Sequence, residues 1–132
     1  MQHQGEEACT RIQNNPRLAN LTYGFDLVAF SQGTQLARYV VEACPVKVRK
    51  LVTFGGPLTG QSAIENCPEE RWSCFVINKL FDIAAYVPYS SDILGPFGYW
   101  RAPWLEGVMK FRKTYLALMN NQAYHTFNET FR

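Results

Sequence analysis

Ser31 stands where an apolar run gives way to a helical pattern. The stretch Leu27-Val28-Ala29-Phe30-Ser31-Gln32-Gly33-Thr34 carries β-branched and aromatic residues up to a serine, passes a glycine, and enters three- and four-residue periodicity. This is the strand–turn–helix setting of a nucleophile elbow, whose sharp turn exposes a serine hydroxyl for acyl transfer and sets the next backbone N–H beside the developing oxyanion. Ser31 is the candidate nucleophile and the N–H of Gln32 a candidate oxyanion donor. In the full pattern, G-x-S-x-G, small residues flank the serine so that strand and helix approach closely; here Ala29 fills the first glycine position and Gly33 the second. The simpler reading is a serine that caps the following helix, a common role for serine.

A serine needs a base. The chain order nucleophile, acid, histidine is formally met by Ser31, then Asp82 or Asp92, then His125. His125 lies in a polar stretch beside an acceptor sequon and Asp82 sits among helical apolar residues, so ordinary surface and helix roles are expected for them.

The elements that must position Ser31 can be read on either side. A helix is expected from about Glu6 to Gln13, stopping near Asn14-Asn15-Pro16 because proline disfavours a helical residue before it. The strand Leu27 to Phe30 follows. Leu36, Tyr39, Val40 and Ala43 then mark one buried helix face that ends before Pro45, and Lys50-Leu51-Val52-Thr53-Phe54 forms a second strand closed by Gly55-Gly56-Pro57. This order predicts parallel βαβ packing. Two strands leave faces and edges uncovered, so the sheet reads as incomplete. After Gly60 helices and loops are expected: Trp72 to Tyr86, a turn-rich stretch Pro88 to Pro103, and a helix around Leu105 to Leu118.

With 132 residues, 47% of them hydrophobic, the chain can bury a core and is not of disordered composition. A net charge of +2 with scattered Lys and Arg argues against a nucleic-acid footprint or an electrostatic membrane patch. The Lys110-Phe111-Arg112-Lys113 cluster reads as a solvated helix face. No apolar run is long enough to predict a transmembrane segment, and the polar start Met1-Gln2-His3-Gln4-Gly5-Glu6-Glu7 has no secretory leader pattern.

Yet the cysteines Cys9, Cys44, Cys67 and Cys74, with the sequons Asn20-Leu21-Thr22 and Asn128-Glu129-Thr130, point to an oxidising, secretory setting. A secreted protein without a leader is what an internal fragment would look like. Four cysteines allow three disulfide connectivities. A zinc site is the alternative, but neither a C-x-x-C nor a nearby His pair supports it, so no metal is expected.

Taken together these residues resemble the palmitoyl-protein thioesterase family of α/β-hydrolases, from about Glu7 to Thr130. The resemblance is carried by Phe30-Ser31-Gln32-Gly33, Ala43-Cys44-Pro45, Thr53-Phe54-Gly55-Gly56, Asn66-Cys67-Pro68, Cys74, Tyr99-Trp100 with Pro103, and Tyr115-Leu116-Ala117-Leu118-Met119-Asn120-Asn121. The chain departs from the family at Ala29 and Thr34, where glycines are usual, and at Leu58, where a histidine often stands.

The resemblance implies a partial α/β-hydrolase fold, incomplete at both ends: a βα core with the elbow over residues 1–60 and a helical insertion forming an acyl groove over 61–132. It implies that the family's first strands precede Met1 and its acid and histidine follow Arg132, leaving this chain inactive alone. It also implies disulfides Cys9–Cys44 and Cys67–Cys74, glycosylation at Asn20 and Asn128, a lysosomal or secreted location, and no cofactor. The implied activity is removal of long-chain acyl groups from S-acylated cysteines of proteins or peptides, with Phe75 to Tyr99 as the apolar lining. Alternatives are a lipase-like or acyl-CoA hydrolase on the same fold, or a catalytically silent interaction module.

Overall fold

The computed structural model describes residues 1–68 and 70–122. They form two compact units, one spanning Met1–Leu58 and the other beginning at Thr59. The first unit runs α1 (Gln2–Gln13), α2 (Pro16–Ala19), β1 (Phe25–Phe30), α3 (Gly33–Ala43) and β2 (Val48–Phe54). Helix α1 starts a turn earlier than expected. Its polar first turns are supported by pairs spaced four apart, Gln2 with Glu6 at 3.1 Å and Arg11 with Glu7 at 2.6 Å. Asn14 caps its C-terminus, the Asn15 side chain accepts the Arg17 N–H at 3.0 Å, and Pro16 opens α2, where a missing N–H leaves no bond unmade.

Strands β1 and β2 pair in parallel, with α3 as the crossover between them and Val28 opposite Val52 and Phe30 opposite Phe54. Both begin earlier than their apolar runs suggested. The ladder reaches Phe25 opposite Val48, and the Arg49 guanidinium grips the Asp26 carboxylate through two bonds of 2.8 and 2.6 Å. Period-two alternation places Ala29 on the buried side and leaves Val28, Phe30, Val52 and Phe54 exposed. A mixed helix–strand unit with a small parallel sheet is compatible with a partial α/β fold.

The buried face of α3 differs from the one expected. Val40 is buried, but Leu36 and Tyr39 are only half-buried and Ala43 is exposed, whereas Thr34, Gln35 and Ala37 lie inside. The first turn of the helix is wedged against the turn after β2, and that contact, unlike the apolar stripe, buries polar side chains. At the other end Cys44 leaves the helix in an extended conformation before Pro45. A disulfide joins Cys44 to Cys9 of α1, with Cα atoms 5.6 Å apart. Gly5 allows the two helices to close: a Cβ there would come within 2.6 Å of the Tyr39 ring.

The second unit holds α4 (Trp72–Ala84), α5 (Ser90–Ile93), 3₁₀ turns at Gly95–Gly98 and Pro103–Leu105, α6 (Glu106–Phe111) and α7 (Tyr115–Met119). A disulfide between Cys67 and Cys74 pins the incoming loop to the first turn of α4. The expected single helix over Leu105 to Leu118 is two. Lys113 adopts a left-handed φ of 51°, which breaks the ladder, and the Thr114 side chain accepts the Ala117 N–H to start α7. The stretch predicted as turns carries α5 and the two 3₁₀ turns. Trp100 is buried against Phe81, and Met109, Leu116, Ala117 and Met119 are buried with it in this unit's share of the core.

Candidate active site

The site is built where β1 runs out. Ser31 follows the last rung of the ladder, and its N–H donates to the Phe54 carbonyl at 2.9 Å, extending the parallel pairing by one bond. At Ser31 the backbone turns left-handed, with φ of 50°, and the side chain is exposed. A non-glycine residue in this region costs roughly 1–2 kcal/mol, so it persists only where neighbouring contacts hold it. Ser31 is not the helix cap. That position belongs to Gln32, whose side chain makes no capping bond, and the helix starts with 3₁₀-type bonds from Thr34 N–H to Ser31 O at 3.0 Å and Gln35 N–H to Gln32 O at 3.1 Å. Among the described residues no acid or imidazole is bonded to the Ser31 hydroxyl.

Gln32 follows in helical conformation, φ −54° and ψ −31°, and its side chain reaches the sulfur of Met1. Its N–H lies at the N-cap of α3, where the helix dipole favours negative charge.

The glycines do not act where the sequence pattern placed them. A Cβ added at Gly33 meets nothing within 4 Å, so the second glycine of the elbow is not required for close packing among the described residues. The tight approach is at Gly56, after β2. There an added Cβ would overlap the Thr34 side chain, with Oγ1 at 2.6 Å. One residue on, Gln35 donates its side-chain amide to the Pro57 carbonyl. Thr34 and Gln35 were not singled out as interior residues by the sequence, because hydrophobic periodicity carries no signal for buried polar side chains.

Of the other sequence-derived candidates, Asp82 is 3% exposed and is gripped by Trp100, Trp104 and Lys79. Asp92 is exposed in the first turn of α5, and His125 lies outside the described residues. Asn20 is exposed just past α2, followed by exposed Leu21 and Thr22; Asn128 lies outside the described residues. Among the described residues no group of three or more His, Cys, Asp or Glu could hold a metal ion, and no helix is long and apolar enough to cross a membrane.

The second unit presents apolar surface along α4 and beyond it: Trp72, Phe75, Leu80 and Ile83, then Tyr89 and Ile93, are all exposed. The Lys79 ammonium lies 5.7 Å from the Phe75 ring and 5.6 Å from the Trp104 ring, within cation–π range.

Comparison with known proteins gives a consistent result. A family model described as palmitoyl protein thioesterase matches residues 1–132. Palmitoyl-protein thioesterase 1 of Caenorhabditis elegans is 33% identical over 116 residues, covering 87% of this chain and 38% of the relative. Palmitoyl-protein thioesterase 3 of Dictyostelium discoideum is 31% identical over 135 residues, covering 100% of this chain and 43% of the relative. A palmitoyl-protein thioesterase-dolichyl pyrophosphate phosphatase fusion of Schizosaccharomyces pombe is 24% identical over 127 residues, 95% of this chain and 20% of the relative. The chain thus spans less than half the length of the curated relatives it matches.

Proposed function

The chain belongs to the palmitoyl protein thioesterase family, and from that premise we propose that it supplies the nucleophile elbow of a serine hydrolase that removes long-chain acyl groups from cysteine thioesters. The observation that carries this reading is Ser31 itself: exposed, left-handed, and standing between a strand end and a helix start.

In this mechanism the Ser31 oxygen attacks the thioester carbonyl, forming a C–O bond as its proton passes to a general base. The carbonyl oxygen becomes an oxyanion and accepts from the Gln32 N–H. Collapse breaks the C–S bond, and the base returns the proton to the departing cysteine sulfur. Water then adds to the Ser31 ester through a second oxyanion, releasing the fatty acid and restoring the hydroxyl. The apolar segment Phe75 to Tyr99 is the proposed lining for the acyl chain, where each buried methylene contributes about 0.8 kcal/mol. S-acylated proteins or peptides are the substrate class, and the two disulfides favour an oxidising, lysosomal or secreted setting with glycans at Asn20 and Asn128.

The test is turnover of acyl-cysteine thioesters by the full-length protein. Ser31→Ala is expected to abolish it, and retained turnover would refute the nucleophile assignment. A profile of chain lengths separates this reading from a general acyl hydrolase. Equal rates on acetyl and palmitoyl thioesters would remove the long-chain groove, and preference for oxygen esters would favour the lipase-like alternative.

A further inference from the structure

Among the described residues three contacts join the elbow to the end of β2 and the turn after it. The Ser31 N–H is bonded to the Phe54 carbonyl at 2.9 Å. The Thr34 side chain rests on Gly56, with no room for a methyl group between them. Gln35 Nε2 donates to the Pro57 carbonyl. The contacts run in step, residues 31, 34 and 35 against 54, 56 and 57, so the elbow is tied to the turn after β2 at three points. Gln35 has 0% exposure, and burying an amide N–H is favourable only when it is bonded.

We propose that Gln35 is a positioning residue for Ser31. By holding Pro57 it keeps the Gly55-Gly56-Pro57 turn seated on the first turn of α3, and that seat keeps the serine oxygen and the Gln32 N–H trained on the same carbonyl. Without the amide the turn is free to lift from Thr34, and Ser31 relaxes toward ordinary backbone geometry. The effect passes through the turn and not through contact with substrate. Gln35 suits the task because its amide, in the first turn of α3, reaches the Pro57 carbonyl. This inference rests on Ser31 being the nucleophile.

The experiment follows fluorophosphonate labelling of Ser31 in the full-length protein, recording rate constant and final amplitude separately. Gln35→Met keeps the volume and removes the donor; Gln35→Glu keeps the shape and sets an acceptor against the carbonyl. Both are expected to slow the labelling rate constant about ten- to a hundredfold, the scale of a small misplacement of reacting groups, with amplitude retained. Turnover should show the same loss in kcat with KM unchanged. An unaltered rate constant with reduced amplitude assigns Gln35 to folding alone and overturns the proposal, as does failure of both variants to fold. Absence of labelling at Ser31 in the unmodified protein overturns the nucleophile reading itself, and so is told apart from failure at Gln35.

Discussion

The Asp82 carboxylate accepts the indole N–H of Trp100 at 2.9 Å through one oxygen and that of Trp104 at 2.7 Å through the other. Lys79 adds a third contact at 3.2 Å from the same helix. A carboxylate with both oxygens committed to indoles is an anchor for the loop that carries them. Asp82→Leu leaves two N–H groups without an acceptor, one of them on Trp100 at 2% exposure, and is expected to lower stability by about 2–4 kcal/mol. Asp82→Asn retains one acceptor oxygen and should cost less. Denaturant unfolding of the two variants checks the order; equal effects would mean that the loss is one of volume and not of hydrogen bonds.

Gly56 and Thr34 make a second pair that can be taken apart. Gly56→Ala drives a methyl group into the Thr34 side chain and should destabilise by about 1–3 kcal/mol, the range for overpacking. Adding Thr34→Gly opens the space and should recover most of that loss, so the double-mutant cycle carries a large coupling. Thr34→Val is a separate case. The Thr34 hydroxyl is buried with no hydrogen-bond partner among the described residues, so exchange for a methyl is expected to be neutral or stabilising in a melting measurement. An additive cycle would show that the turn after β2 shifts freely.

How far the sequence could be read follows from the range of the interactions involved. The turn at Ser31, the strands and the end of α3 before Pro45 were legible because each is set by neighbours within a few residues: a change of period or a proline. The interior places of Thr34 and Gln35 were not. They depend on a turn more than twenty residues away, and nothing in a hydrophobic pattern marks a polar side chain that a distant carbonyl will accept. Asp82 read as an ordinary helix acid for the same reason, its indole partners lying 18 and 22 positions further on. The break at Lys113 was hidden because a lysine, not a glycine, takes the left-handed position.

The disulfides differ in the loops they close. Cys9 and Cys44 are 35 positions apart and Cys67 and Cys74 only 7. On chain entropy alone the first contributes about 4 kcal/mol and the second about 2.5 kcal/mol. Replacing Cys9 and Cys44 together by alanine should therefore cost more than replacing the other pair, measured as the shift in denaturant midpoint under oxidising conditions. Peptide mapping without reductant checks the pairing directly, and cross-linked Cys9–Cys67 peptides would contradict it.

The Asp26–Arg49 pair ties β1 to β2 across their first rungs, and its pH dependence has a definite sign. The Arg49 hydrogen bonds hold the Asp26 carboxyl below its ordinary value, with Lys50 adding to the attraction. A folded-state value below the unfolded one means that the contribution is complete above the unfolded value, about 4, and is lost as pH falls through the folded value. Stability of the unmodified protein should thus fall more steeply than that of Asp26→Asn as the pH drops below about 4, and the two curves should converge at the acid end. Both side chains are largely exposed, so the difference should be small and should shrink further in concentrated salt. Unfolding followed at several pH values, with and without salt, decides the matter: parallel curves would show that the pair forms no more in the folded chain than in the unfolded one.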